Sequence, residues 1–540
     1  MLGLRERKKD ESRPRGVAPE GDGGDGVPRG RPPGRWLWVA GTALLVLALH
    51  SNWHVALAAW LFPVFLLRYA RLRPARYGLL RIGWASASAT LLWLVSTGMV
   101  FVPTVVGVFA VLAVLQTLPF VADRLIGVRS RSVLTTLVFP TVLVGGEYLF
   151  AELADFGDFG VLGFTQHGFL PLIQLASVTG VHGVSFVVAW TASMAHWVWQ
   201  GGLPRPRVRR GVLVWAGVLA VVLGAGGVRL LFFAPVTDTV RVAGVSAGRA
   251  AERDTRRALD RIDPEGWRPR SAVGAAPERV RKALAPVADD LVAATDREAR
   301  AGARIVVWPE TQAGVLEGDQ RRLLGRVAAI ARERRVYVNA AYGLYLRQAP
   351  YVRNLSVLLT PEGKVAWTYD KAHPTPMETM TPGSGNVPVA DSPYGRLATV
   401  ICYDADYPEL MRQAADKGAG MMLVPANDWV GFESLHAQRA VFRSVEYGYA
   451  MVRQSVNGVA TAVNPQGRVL GMADYFTAGR QTLVAEVPVQ RRTQTLYGET
   501  GAVFAVLCVA GSVAVVGFGL LWRRGRRSEE SGTGERDVLK

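Results

Sequence analysis

Apolar stretches of the length that spans a bilayer recur along this chain, and no other feature restricts its fold as strongly. A hydrocarbon core of about 30 Å needs roughly 17–25 apolar residues in a helix. Stretches of that kind centre near Leu44, Ala59, Leu91, Ala113, Leu143, Val187 and Val221, and one more runs from Gly501 to Trp522. Buried helices of a soluble protein would be fewer, shorter and richer in charge. The expectation is an α-helical protein that crosses a membrane about eight times, with the second span broken by Pro63 and the fifth by Pro140.

Charge orients these spans, because Lys and Arg beside span ends stay on the cytoplasmic side. Every second connection is basic: Arg68, Arg71, Arg73, Arg76 and Arg81; Arg124, Arg129 and Arg131; Arg205, Arg207, Arg209 and Arg210. The short connections around Ser51 and Val102, and from Glu152 to Leu172, contain neither Lys nor Arg. Both termini are then expected in the cytoplasm and the region from Pro235 to Tyr497 outside it. The predicted order is a basic, disordered N-terminus (1–34), a seven-helix membrane domain (35–233), an extracytoplasmic domain (234–497), a final span (498–522) and a cytoplasmic tail (523–540). The net charge of +18 would otherwise suggest nucleic acid. Its concentration beside the spans makes it a topology signal, reinforced by attraction to anionic lipid.

From Val240 to Val489 the pattern changes to short β-branched runs alternating with charged amphipathic helices, which predicts a layered α/β domain. Strands are expected at Arg241–Val245, Ala303–Trp308, Val336–Tyr342, Leu397–Tyr403, Met421–Ala426, Met451–Asn457 and Thr461–Leu470, with a hairpin over Ser356–Tyr369. Helices are expected at Pro277–Ala301, kinked or restarted at Pro286, and at Gln320–Arg334. Residues Gly248–Ala276 read as a solvated insertion.

Three strand ends carry reactive groups: Trp308-Pro309-Glu310, Tyr369-Asp370-Lys371-Ala372-His373 and Ile401-Cys402-Tyr403-Asp404. Taken singly, a strand-end Cys is more often a small buried hydrophobe, and a loop Glu or Lys a surface charge. Brought together at one end of adjacent strands, they suffice for covalent acyl transfer. Glu310 can take the thiol proton, Cys402 can attack a carbonyl, and Lys371 with the Tyr403 N–H can stabilise the oxyanion. Cys402 and Cys508 are the only cysteines, and Cys508 lies in the last span, so no disulfide forms between them.

In this order and spacing the three motifs resemble those of the nitrilase, or carbon-nitrogen hydrolase, superfamily. Pro425-Ala426-Asn427-Asp428-Trp429, the Arg439–Glu446 helix, Val456-Asn457-Gly458-Val459 and Asn464-Pro465-Gln466-Gly467 extend the match over the whole outside domain. The resemblance implies an αββα sandwich, with Cys402 as nucleophile, Glu310 as base and Lys371 as oxyanion stabiliser. Spans flanking such a domain resemble the apolipoprotein N-acyltransferase branch. That likeness implies a bacterial plasma-membrane enzyme that moves an acyl chain from phospholipid to the N-terminal amine of a diacylated lipoprotein, with no cofactor. Glu378 matches the branch's additional glutamate, and Trp429 lies in the segment matching a mobile loop.

Three segments depart from the family's pattern: Asp404 stands in place of Glu, Pro374-Thr375-Pro376-Met377-Glu378 is one residue short, and Ser246-Ala247-Gly248 replaces Gln-Gly-Asn. The alternative enzyme reading is a membrane-tethered amidase of the same superfamily, with water as final acceptor. A transporter would need intramembrane ionisable groups, for which Glu147, His182 and His196 are the candidates. His373 and His436 are the only histidines of the outside domain, so no metal site is expected.

Overall fold

The computed structural model describes residues 34–49, 55–127, 132–154, 157–233, 238–264, 273–274, 276–429, 431–489 and 492–534, without side chains beyond Phe518. The expectation for the N-terminal segment lies outside these residues. Helices stand at each place where a span is expected: Arg35–Leu49, Ala56–Leu72, Ala75–Ser96, Pro103–Leu115, Val138–Ala154, Val181–Gly201, Pro206–Phe232 and Val503–Gly534. Among the described residues, four stretches are long and apolar enough to cross a membrane: Ala75–Ser96, Pro103–Ile126, Val133–Ala154 and Pro206–Phe232.

Neither proline breaks its helix, contrary to expectation. Pro63 lies inside the Ala56–Leu72 helix, which continues through it. Pro140 breaks nothing: the α-helix starts at Val138, after a 3-10 turn at Val133–Leu137, so Pro140 occupies the first turn, where its missing N–H costs no hydrogen bond.

The residues that follow build two facing sheets. The first has the order β13-β1-β2-β4-β5-β6, with β3 (Ala313–Leu316) paired to β4. Its strands are β1 (Thr239–Val245), β2 (Ile305–Val307), β4 (Tyr337–Tyr345), β5 (Val352–Leu359), β6 (Val365–Asp370) and β13 (Thr482–Pro488). The second runs β12-β11-β10-β9-β8-β7, from β7 (Val389–Ala390), β8 (Leu397–Thr399), β9 (Met421–Asn427), β10 (Ala450–Val456) and β11 (Val459–Val463) to β12 (Val469–Asp474). Helices Pro277–Arg300 and Gln320–Arg334 cover the first sheet, burying Val287, Leu291, Leu323 and Val327 against β-strand side chains such as Val306 and Val338. Pro408–Asp416 and Leu435–Tyr447 cover the second. The layering is α-β-β-α.

Several sequence expectations are corrected. The Pro277–Arg300 helix runs unbroken through Pro286, since the carbonyl left without a donor belongs to exposed Lys282. The single strand expected at Thr461–Leu470 is two, β11 and β12, because Pro465-Gln466-Gly467 turns the chain and Gly467 adopts φ 80°. The strand expected to reach Tyr403 ends at Thr399, and a 3-10 turn begins at Cys402. Strand β13, which pairs antiparallel with β1 along its length, was not foreseen. The supposed insertion contains a helix, Arg249–Asp260, packed on Pro277–Arg300, while residues 265–272 and 275 lie outside the description.

Candidate active site

Glu310, Lys371 and Cys402 do meet, but not from adjacent strands of one sheet. Glu310 follows β2 and Lys371 follows β6, strands separated by β4 and β5, whereas Cys402 follows β8 of the facing sheet. The site therefore forms between the sheets. The Glu310 N–H donates to the Ala426 carbonyl of β9, 3.2 Å away, stitching the two layers beside the reactive groups. Trp308, fully buried, anchors the end of β2 by donating its indole N–H to Thr295 Oγ1 at 2.8 Å.

Lys371 Nζ lies 2.8 Å from Glu310 Oε1 and 2.8 Å from Glu378 Oε2. Glu378 also accepts from the Thr375 N–H, which holds the shortened 374–378 segment in a turn under the ammonium. Asn354, on β5, donates its side-chain amide to Glu310 Oε1 at 2.6 Å, and its carbonyl accepts from the Lys371 N–H. Sequence reading missed Asn354. The signal was weak, because Asn354 stands between Arg353 and Ser356 in the same strand and polarity alone does not single it out.

Cys402 sits in the left-handed region, φ 51°, at a sharp turn, with its Sγ 3.7 Å from the Asn427 carbonyl and its thiol a hydrogen-bond partner of Glu310. Strained backbone of this kind concentrates at functional sites, where surrounding contacts enforce it. Asp404 is among those contacts. Its buried carboxylate accepts from the Tyr369 hydroxyl at 2.8 Å, from the N–H groups of His373 and Ala372, and from the Ile401 N–H. The residue that departs from the family pattern therefore ties the Lys371 segment to the Cys402 turn. Tyr403 faces Tyr407 and Phe159, and Trp429 lies partly buried with its ring 5.2 Å from Phe432.

Burial sets the protonation of the trio. It raises the Glu310 carboxyl, against the pull of Lys371, and pushes the Cys402 thiol well up, helped by the Glu310 charge. Burial alone would lower the Lys371 ammonium, yet Glu310 and its neighbours outweigh it and keep the amine charged. The resting thiol is thus neutral, beside a carboxylate that can take its proton and a fixed cation that can face a developing oxyanion.

Behind Cys402 runs a buried chain of charges. Asp428 is held bidentately by Arg453 at 2.6 and 2.8 Å, accepts from Ser455, and meets His436 Nδ1 at 2.7 Å. His436 Nε2 faces Asp406 at 3.3 Å, and Arg439 lies 2.6 Å from the same carboxylate. Arg443 bridges Asp158, in the segment between helices Val138–Ala154 and Val181–Gly201, to Glu446 at 2.6 Å, and Glu446 accepts from the Val181 N–H at that last helix's start. This chain locks the helical bundle onto the two-sheet domain.

Ligand atoms of Cys402, Asp428 and His436 lie within 4.8 Å of one another, a grouping that the histidine count did not foresee. Their lone pairs are engaged: both ring nitrogens face carboxylates and Asp428 is clasped by Arg453. The donor set fits a protonated imidazole between two acids better than a metal. Burial alone would favour the neutral ring, but Asp406 and Asp428 raise His436 above its ordinary 6.5. A raised pKa stabilises the fold fully below pH 6.5 and less as pH climbs through the native value. The stability advantage of the wild type over His436→Gln is therefore expected to be largest below pH 6.5 and to shrink above it. Thermal midpoints across that range check this, and an advantage growing with pH would sink it.

An apolar cavity, lined by Trp93, Phe109, Leu112, Phe159, Phe164, Leu435 and Arg439, lies one aromatic layer from the site: Phe159 of its wall meets the Tyr403 ring at 6.2 Å. The cavity lies between the membrane helices and the helix that carries His436.

Comparison with known proteins agrees with this two-part construction. The family profile described as apolipoprotein N-acyltransferase N-terminal domain matches residues 40–194, and that described as carbon-nitrogen hydrolase matches residues 271–497. The chain joins a domain of the apolipoprotein N-acyltransferase family to a carbon-nitrogen hydrolase domain. Proteins similar to it include the apolipoprotein N-acyltransferase of Geobacter metallireducens, 28% identical over 72% of this chain and 74% of the relative. Apolipoprotein N-acyltransferase 2 of Treponema pallidum is 25% identical over 65% of this chain and 69% of its own length. Among solved structures, an amidase from Nesterenkonia sp. is similar to 47% of this chain and covers 93% of itself, at 21% identity and a TM-score of 0.35.

Proposed function

We propose that the protein transfers a fatty acyl chain from phospholipid, through a thioester on Cys402, to the N-terminal amine of diacylglyceryl-cysteine on lipoproteins. The observation that carries this reading is the meeting of Cys402, Glu310 and Lys371 next to Tyr403, whose ring meets Phe159 in the wall of an apolar cavity lined by the helical bundle. In the first half-reaction Glu310 takes the thiol proton as sulfur attacks the ester carbonyl, and Lys371 with the Tyr403 N–H faces the oxyanion. Collapse breaks the ester bond, and Glu310 returns the proton to the departing lysophospholipid hydroxyl. In the second, the acceptor amine attacks the thioester, Glu310 takes its proton, and the thiolate leaves and is reprotonated. Supporting positions are Glu378 against Lys371, Asp404 behind the turn and Trp429 near the cavity.

The test is intact mass. Incubating the detergent-purified protein with a defined phospholipid and no acceptor should add one fatty-acyl mass, removable by hydroxylamine and absent from Cys402→Ala. No added mass on a reactive thiol would move the assignment to amide hydrolysis.

The same reading makes all eight helices spans and places the two-sheet domain outside the cytoplasm, with both termini inside. Glu362 lies exposed at the β5–β6 turn. Glu362→Cys, in a Cys402→Ser/Cys508→Ser background, should react in intact cells with a membrane-impermeant maleimide. Labelling only after lysis would overturn the orientation.

A further inference from the structure

Three non-glycine residues in the left-handed backbone region meet at Asn427, the last residue of β9. Cys402 stands at φ 51°, Thr311 at φ 50° and Asn457 at φ 56°. Each belongs to a different turn: Cys402 after β8, Thr311 directly after Glu310, and Asn457 between β10 and β11. Asparagine enters this region readily, but a β-branched threonine there is a clear outlier. Backbone of that kind persists where the surroundings fix it.

Asn427 makes a contact to each of the three. Its side-chain N–H donates to Thr311 Oγ1 at 3.3 Å, its side-chain oxygen accepts from Asn457 Nδ2 at 2.9 Å, and its backbone carbonyl faces Cys402 Sγ at 3.7 Å. The residues on either side extend the tie. The Ala426 carbonyl accepts from the Glu310 N–H, and the Asp428 N–H donates to the Val456 carbonyl at 2.9 Å. One amide side chain therefore crosses between the two sheets, joining the turn that carries the base to the strand whose end faces the nucleophile.

That crossing bears on proton transfer. Glu310 hangs from the first sheet and Cys402 from the second, so a slide of one sheet past the other changes the distance between them. A neutral carbonyl can accept the thiol hydrogen but cannot remove it; it fixes where the sulfur sits and leaves deprotonation to Glu310. We propose that Asn427 is a positioning residue: its side-chain amide holds the Thr311 and Asn457 turns while its carbonyl seats the Cys402 thiol, which keeps base and nucleophile in register. The side chain acts through Thr311 and through its own main chain. The inference rests on the reading of Cys402 as nucleophile and Glu310 as base.

The test is alkylation of the full-length, detergent-purified protein by iodoacetamide, followed by mass on the peptide that carries Cys402. In that step the S–C bond forms, iodide leaves and Glu310 takes the thiol proton, so neither acyl donor nor acceptor is needed. Glu310→Gln sets the scale for a lost base. Asn427→Ala should slow alkylation about a hundredfold, the effect of a displacement of about 1 Å, with little loss in thermal midpoint. Thr311→Ala removes the same bond from its other end and should slow it about tenfold, the scale of one hydrogen bond. Thr311→Ser should recover most of that loss. Asn427→Ala/Thr311→Ala should fall no further than Asn427→Ala alone, because both act on one contact.

The pH profile separates positioning from general loosening. The titratable and charged groups around the pair are Glu310, Lys371, Glu378, Asp428, Arg453 and His436, and the Asn427 and Thr311 variants alter none of them. Burial raises both the Glu310 carboxyl and the Cys402 thiol. Wild-type rates should level off once Glu310 is ionised, whereas Asn427→Ala rates should go on climbing about tenfold per pH unit as the thiol ionises unaided. A merely loosened fold would lose thermal midpoint and keep the wild-type profile, which would overturn the proposal. If Glu310→Gln slows alkylation and Asn427→Ala does not, the positioning role alone falls. If Glu310→Gln reacts as fast as the wild type, the base assignment fails and takes the proposal with it.

Discussion

Cys402→Ser is expected to lower acyl transfer to a diacylated lipopeptide on the order of 10⁴-fold or more, with the thermal midpoint almost unchanged. The two halves of this expectation have separate causes. Serine carries a Cβ like cysteine, so the left-handed backbone at φ 51° is no more strained, and the residue is nearly fully buried with a small polar group in either case. The chemistry differs sharply. A buried hydroxyl lies much further from ionisation than a thiol, so Glu310 would take its proton far less readily. A serine oxygen would also leave an ester, which an amine attacks more slowly than a thioester. Measuring single-turnover acylation and transfer separately makes the result diagnostic. Full activity in the serine variant would contradict a sulfur nucleophile, and a large fall in thermal midpoint would mean that the thiol supports the fold.

What was legible in the sequence, and what was not, follows the range of the interactions involved. Hydropathy is a local property, so helices were foreseen at all eight places, and the Gln320–Arg334 helix matches residue for residue. Glu310, Lys371 and Cys402 were readable because each ends an apolar run, where a strand delivers its side chain to a loop. Their true arrangement was not, because pairing order is set by contacts far apart in sequence. Adjacent strands of one sheet were expected, and facing sheets were found. Strand β13 was missed since its partner β1 lies more than two hundred residues upstream and fixes its register only in the fold. Asn354, Asp158 and Arg453 escaped for the same reason: each is an ordinary polar residue until its partner is known. Arg453, which follows the apolar Ala450-Met451-Val452 run of its strand, was the most visible of them, since a buried arginine requires a buried acid, which Asp428 supplies.

The second large effect is expected at the junction between the two parts, from Arg443→Met. Arg443 is buried between Asp158 and Glu446 and also donates to the Ala405 carbonyl at 2.9 Å. Methionine fills much of the stem's volume but removes the cation, leaving two buried carboxylates facing each other across the junction. Breaking a buried pair in this way costs about 3–5 kcal/mol, which corresponds to a fall in thermal midpoint on the order of 10 °C. Because Asp158 belongs to the membrane helices' connection and Glu446 caps the start of helix Val181–Gly201, the loss should fall on the docking of the two parts. Limited proteolysis should cleave near residues 157–181 or 435–447 before it reaches the sheets. Neutralising the partners tests the cause. In Asp158→Asn/Arg443→Met/Glu446→Gln no buried charge is left unpaired, so most of the lost stability should return, although the hydrogen bonds to Val181 and Ala405 weaken. If the triple variant is no more stable than Arg443→Met, the arginine acts through its packing and its bond to the Ala405 turn, three residues beyond Cys402. The charge chain would then be a consequence of how the parts dock rather than what holds them together.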